Sequence, residues 1–89
     1  MNYIYKYKFQ TYDPRGVAIK SFVRLLDVQH QSGDDSETLT LWALIDEFGS
    51  SATTVRFRVF GTGEQVPENV EYYKTIQAVN CAWHLFKET

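Results

Sequence analysis

The chain has 89 residues, 44% hydrophobic and 16% aromatic, with a formal net charge of −2. That is the length of one small domain, residues 1–89, and six Tyr, six Phe and two Trp supply the buried area that so short a chain needs. The near balance of 9 Lys and Arg against 11 Asp and Glu argues against a dedicated nucleic-acid binder, and the apolar content argues against disorder.

The first element is YIYKYKF, whose strict alternation puts Tyr3, Tyr5, Tyr7 and Phe9 on one face. Ile4, Lys6 and Lys8 fall on the other, so a strand with one buried face is expected. It ends at DPRG, where Pro14 presets a turn and Gly16 closes it. VAIK is a short second strand. In SFVRLLDVQHQ, alternation assigns Leu26, Val28 and His30 to one side of a third. SGDDSE reads as a polar turn.

TLTLWALID is the strongest strand of the chain. Leu39, Leu41, Ala43 and Ile45 share one face, and Thr40, Trp42 and Leu44 the other. Both faces are largely apolar, which predicts a central position. EFGSSAT breaks the chain again. TVRFRVF then places Val55, Phe57 and Val59 inward and Arg56 and Arg58 outward, with Phe60 on the arginine side. The loop FGTGEQVPE follows.

The C-terminal segment supports two readings. Tyr72, Ile76, Val79, Trp83 and Phe86 form a helical stripe. The same residues read as two strands, VEYYKTIQAV and CAWHLFKE, joined near Asn80, and β-branched and aromatic residues favour strands. Turn signals recur about every 8 to 12 residues along the chain, the spacing of a small sandwich or barrel. The fold class expected is mainly β, a small antiparallel β-sandwich or open barrel, with α+β ending in a C-terminal helix as the alternative.

LWALID, FRVFGTGEQVPE, YYKT and WHLF together resemble a family of short bacteriophage and prophage proteins of unknown function. Its members open with an IYKY-like strand and carry a GTG segment followed by proline and a closing WHLF-like strand. The likeness covers nearly the whole chain. It implies a small β-rich protein and strands at the C-terminus. It also implies a place in the cytoplasm of the host bacterium. Family members often have a glycine in the last turn, where this chain has AVNCA. No catalytic residues are assigned to the family, so none carry over.

Several groups of residues suggest chemistry. Gly61, Thr62 and Gly63 follow a strand, as phosphate-cradling loops do, and are a candidate ligand loop. They lack the third glycine, the Lys-Ser or Lys-Thr pair and the following helix of nucleotide fingerprints. A turn in which glycine supplies positive φ explains them more simply, although successive amides could form a small anion nest. Cys81 and His84 lie three apart, which on a strand sends them to opposite faces. His30, His84 and Cys81 lack metal-ligand spacing, and no metal or other cofactor is expected. Asp27, Asp34 and Asp35 could add carboxylate ligands, but GDD reads more simply as a solvated turn. The tyrosines of YIYKYK lie opposite its lysines, which suits a core or an interface better than a nucleic-acid platform.

Arg56, Arg58 and Phe60 form a candidate interface patch, since arginine beside an aromatic is typical of binding hot spots. The expected function is therefore non-catalytic. The chain is expected to bind a host protein as an inhibitor or modulator, for example of a defence component. The alternatives are a small-ligand or nucleotide binder, using Gly61–Gly63 with Arg56 or Arg58 and an aromatic such as Tyr72 or Trp42, and a structural or assembly protein. A homo-oligomer is a further expectation, because exposed strand edges pair readily. One cysteine cannot form an internal disulfide, the N-terminus has no apolar signal core, and no apolar run reaches the roughly 18 residues of a membrane span. The cytoplasm is the expected location, with no membrane partner.

Overall fold

The structure, a computed structural model, describes residues 1–47 and 53–89. Its strands are β1 (Asn2–Gln10), β2 (Val17–Lys20), β3 (Phe22–Gln29), β4 (Thr38–Asp46), β5 (Thr54–Gly61), β6 (Val70–Gln77) and β7 (Ala82–Glu88). They form two antiparallel sheets, ordered β1-β4-β3 and β2-β5-β7-β6. The two sheets pack into a β-sandwich, and no helix occurs among the described residues. The α+β alternative and the open barrel are thereby set aside. Most of the break expected at EFGSSAT, residues 48–52, lies outside the described residues.

The core is built on β4, the centre of its sheet. Leu39, Leu41, Ala43 and Ile45 point inward and are buried, as alternation predicts. Facing them from the second sheet are Ile19, Phe57, Ile76 and Leu85. Burying each Leu, Ile or Phe contributes about 1.5–3 kcal/mol relative to exposure. β1 is buried only toward its end. Phe9 is in the core and Tyr7 packs against it, while Tyr3 and Tyr5 reach solvent. Burial raises the Tyr7 hydroxyl above the usual tyrosine value, and hydrogen bonding to Glu47 does the same for Tyr5.

β3 departs from the alternation read in its sequence. Its register against β4 shifts between Phe22 and Arg24 and again between Leu25 and Asp27. Each shift inserts an extra residue, so the inward side chains are Phe22, Leu25 and Val28, three apart. Leu26, assigned by alternation to the side of Val28, is instead exposed. His30 lies beyond the strand, with Nε2 within 3.1 Å of Asp34 O and 2.9 Å of Asp35 O.

The chain crosses from the second sheet to the first at one residue, Ser21, which sits between β2 and β3 at φ 55°. Positive φ is uncommon outside glycine, and the corner is held by the Asp46 N–H donating to Ser21 O at 3.0 Å. At the C-terminus β6 and β7 form a hairpin around residues 78–81. The Ala78 N–H donates to Cys81 O at 2.8 Å, and no residue of this turn has positive φ, so AVNCA closes it without glycine.

Side chains also tie the sheets together. Trp83 Nε1 of β7 donates to Ser36 O, before β4, at 2.7 Å. Lys74 of β6 donates to Asp27 of β3, and this bond holds the Asp27 carboxyl below the usual carboxylate range, against a smaller opposing effect of burial. A depressed carboxyl stabilises the fold above its unfolded value of about 3.9, and that contribution disappears as pH falls through the folded value. Wild type should therefore exceed Asp27→Asn in denaturation midpoint at pH 7, and the gap should close below pH ~3.9. Both side chains are over a third exposed, so the effect stays below about 1 kcal/mol. An equal gap at pH 7 and pH 2 would remove the pair from the account.

Candidate functional site

Parity along β5 brings Arg56, Arg58 and Phe60 to the outer face of the four-stranded sheet, where β7 and β6 add residues. Arg58 stands opposite Phe86 and Phe60 opposite His84, and on β6 Tyr72 stands opposite Phe86 and Thr75 opposite His84. Phe60 is only 5% exposed, because Phe86 meets it edge-on at 5.4 Å and Arg58 lies 5.0 Å above its ring. Tyr72 in turn packs edge-on against Phe86 at 5.6 Å. Phe60 is thus the floor of an aromatic patch, and Tyr72 and Arg58 form its accessible surface.

Arg56 is engaged within the chain. Its Nη1 donates to Arg15 O at 2.6 Å, and its Nε lies 3.9 Å from Glu88. Arg58 makes no ion pair among the described residues. It lines a cavity of about 200 Å³ together with Thr11, Tyr12, Asp13, Phe60 and Glu64.

The Gly61–Gly63 loop joins this face through a chain of polar contacts. Thr62 Oγ1 is 3.0 Å from His84 Nε2, His84 Nδ1 is 2.9 Å from Thr75 Oγ1, and Thr75 Oγ1 is 2.7 Å from the Tyr72 hydroxyl. The imidazole therefore clamps the loop to β6. Gly63 has φ +94° and supplies the turn. The Gly61 N–H, the first amide a bound anion would use, already donates to Glu64 Oε1 at 2.8 Å. The loop binds its own carboxylate, which favours a turn over a cradle. His84 sits on this outer face and Cys81 in the turn before β7. Among the described residues no group of three or more His, Cys, Asp or Glu converges to hold a metal.

The outer face of the three-stranded sheet carries a second surface, of which only Trp42 stood out in the sequence. Lys6 and Asp27 flank Trp42 across the strands, and Ile4 and Arg24 flank Leu44. Ile4 is 66% exposed and Leu26 is 42% exposed, and with Trp42 they line a shallow groove of about 470 Å³. Asp27 is paired with Lys74 and Lys8 with Asp34, which leaves Lys6 and Arg24 as the cations without ion pairs on this face among the described residues. The groove is apolar at its centre, Asp27, Gln29 and Gln31 complete its lining, and Lys6 and Arg24 stand beside it on the same sheet face. The two-sided apolar character of TLTLWALID was its signal in the sequence. Leu26 was hidden by the bulge.

Fold and faces define a small all-β sandwich domain whose two outer sheet faces each carry an aromatic-centred patch. The chain belongs to the family described as Domain of unknown function (DUF7352), which matches residues 1–89. No curated protein and no solved structure matches it.

Proposed function

We propose that this protein is a non-catalytic binding module that docks a host protein on the outer face of β1-β4-β3 and so modulates it. The reading is carried by the groove of Ile4, Leu26 and Trp42, an exposed apolar surface around a tryptophan. Tryptophan ringed by smaller apolar contacts is a common energetic centre of interfaces. The partner that suits it presents an apolar anchor flanked by acidic side chains, which meet Lys6 and Arg24. A phage or prophage origin, implied by the resemblance of the LWALID, GTG and WHLF segments, makes that partner a protein of the bacterial cytoplasm, for example a defence component.

Native mass spectrometry of the tagged protein recovered from a bacterial host tests this. The expected result is a stoichiometric complex with one host polypeptide that is lost in Trp42→Ala and in Leu26→Asp, both still folded by circular dichroism. A complex retained by both variants, or none across several hosts, defeats the reading.

A second reading rests on Arg58, which lines the 200 Å³ cavity without an ion pair among the described residues. A small ligand of mixed polarity suits that lining, with an anionic group meeting Arg58 and donor groups meeting Asp13 and Glu64. It would appear as a mass excess of a few hundred daltons, on the order of one small molecule, lost in Arg58→Ala and kept in Trp42→Ala.

A further inference from the structure

The two sheets have four edges, and three of them are guarded against strand addition. β2 is 4 residues long, β3 carries two register shifts and β6 carries one, between Tyr72 and Lys74. β1 is different. It runs for 9 residues in unbroken register against β4, without proline, and among the described residues no strand pairs with its other side.

We propose that a second copy of this chain fills this edge, β1 pairing antiparallel with β1 of the copy about a two-fold axis at Tyr5. Two identical antiparallel strands bring matching hydrogen-bonding groups together only when the axis passes through a residue. An axis at Lys6 sets Lys6 against Lys6 of the copy. One at Tyr7 sets Lys6 against Lys8. An axis at Ile4 shortens the ladder to Asn2–Lys6. At Tyr5 the ladder runs from Asn2 to Lys8 with no like charges opposed.

In that register Tyr5 faces Tyr5 of the copy and Tyr3 faces Tyr7, a row of aromatic cross-strand pairs on one side of the sheet. On the other side Ile4 covers the stem of Lys6, and Asn2 faces Lys8. Two three-stranded sheets become one continuous sheet. Both Trp42 grooves then lie on the same face of the dimer, which presents the docking surface twice. The edges left are the bulged β3 strands, so the assembly closes.

Light scattering across micromolar to submillimolar protein tests the pairing on the full chain. The expected mass is twice the 10.4 kDa of one chain. Ile4→Lys, at an exposed position, opposes lysines twice by symmetry and should weaken association roughly tenfold. Adding Lys6→Glu to Ile4→Lys should restore it, because the new charges meet only in the Tyr5-centred register. Trp42→Ala should leave the dimer unchanged. A wild-type monomer throughout the range, a dimer indifferent to Ile4→Lys, or a double variant that does not recover each overturns the proposal.

Discussion

Phe57→Ala is expected to lower the unfolding free energy by about 3–5 kcal/mol, the usual loss for removing a fully enclosed phenylalanine. Phe57 has no exposed surface. Its ring meets Phe22 of β3 edge-on at 5.5 Å and Tyr73 of β6 edge-on at 5.4 Å. One side chain thus joins the two sheets and also links β5 to the far edge of its own sheet. Collapse around the smaller side chain is hindered, since Phe57 is paired on both sides, with Val17 on β2 and Lys87 on β7. A domain of 89 residues holds roughly 4–13 kcal/mol in total, so this one truncation removes a large part of it. The melting temperature should fall by ~12 °C or more, at about 4–8 °C per kcal/mol for a domain of this size. Thermal and urea unfolding of the variant measure it. A loss under about 1 kcal/mol would mean that the sheets are held together elsewhere.

The inward face of β5 was legible because nothing interrupts its alternation. The same holds for β4, where both the core row and the central position follow from two apolar faces. β3 was misread for a physical reason. Two bulges change the side-chain period from two to three, so Phe22, Leu25 and Val28 point inward and Leu26 faces solvent. Bulges are set by pairing with β4, and a strand read alone does not contain them. At the C-terminus the local pattern fitted a helix and a hairpin equally well. Tertiary pairing decided it: as strands, Ile76 and Leu85 turn to the core while Tyr72 and Phe86 meet Phe60 outside. Trp83 and Phe86, which share a helical stripe, end on opposite faces.

The candidate sites divide in the same way. Parity was enough to set Arg56, Arg58 and Phe60 on one face. It could not show that Glu88 and Arg15 O occupy Arg56, or that Phe86 closes over Phe60, because those partners come from distant parts of the chain. The groove of Ile4, Leu26 and Trp42 needed three separate facts: that β1 lies beside β4, that β3 lies on its other side, and that Leu26 is displaced by a bulge. Only the first two concern strand order. The third is a local irregularity, and it supplies one wall of the groove.

Gly16→Ala is the second large expected effect, about 2–5 kcal/mol of stability, and its comparison with two other glycines isolates the cause. Gly16, Gly33 and Gly63 all have positive φ, at +67°, +94° and +94°. An alanine at any of them carries left-handed strain of about 1–2 kcal/mol. At Gly33 and Gly63 a new Cβ meets nothing within 4 Å, so strain is the whole effect. At Gly16 the Cβ would lie 1.9 Å from Phe57 O and 3.0 Å from its carbonyl carbon. Those are backbone atoms, fixed by the ladders of β5, and no rotamer relieves the clash. The turn must open, which strains the Gly16 N–H bond to Asp13 O and the pairing of Val17 with Phe57. Overpacking of that kind adds about 1–3 kcal/mol. β2 carries Ile19, fully buried, so a displaced β2 also loosens the core. Unfolding of the three variants side by side should rank Gly16→Ala well below the other two in stability. Equal losses would mean that the chain does not pass so close to Phe57. The sequence shows a turn glycine after DPR, but not the carbonyl from β5 that makes this glycine irreplaceable.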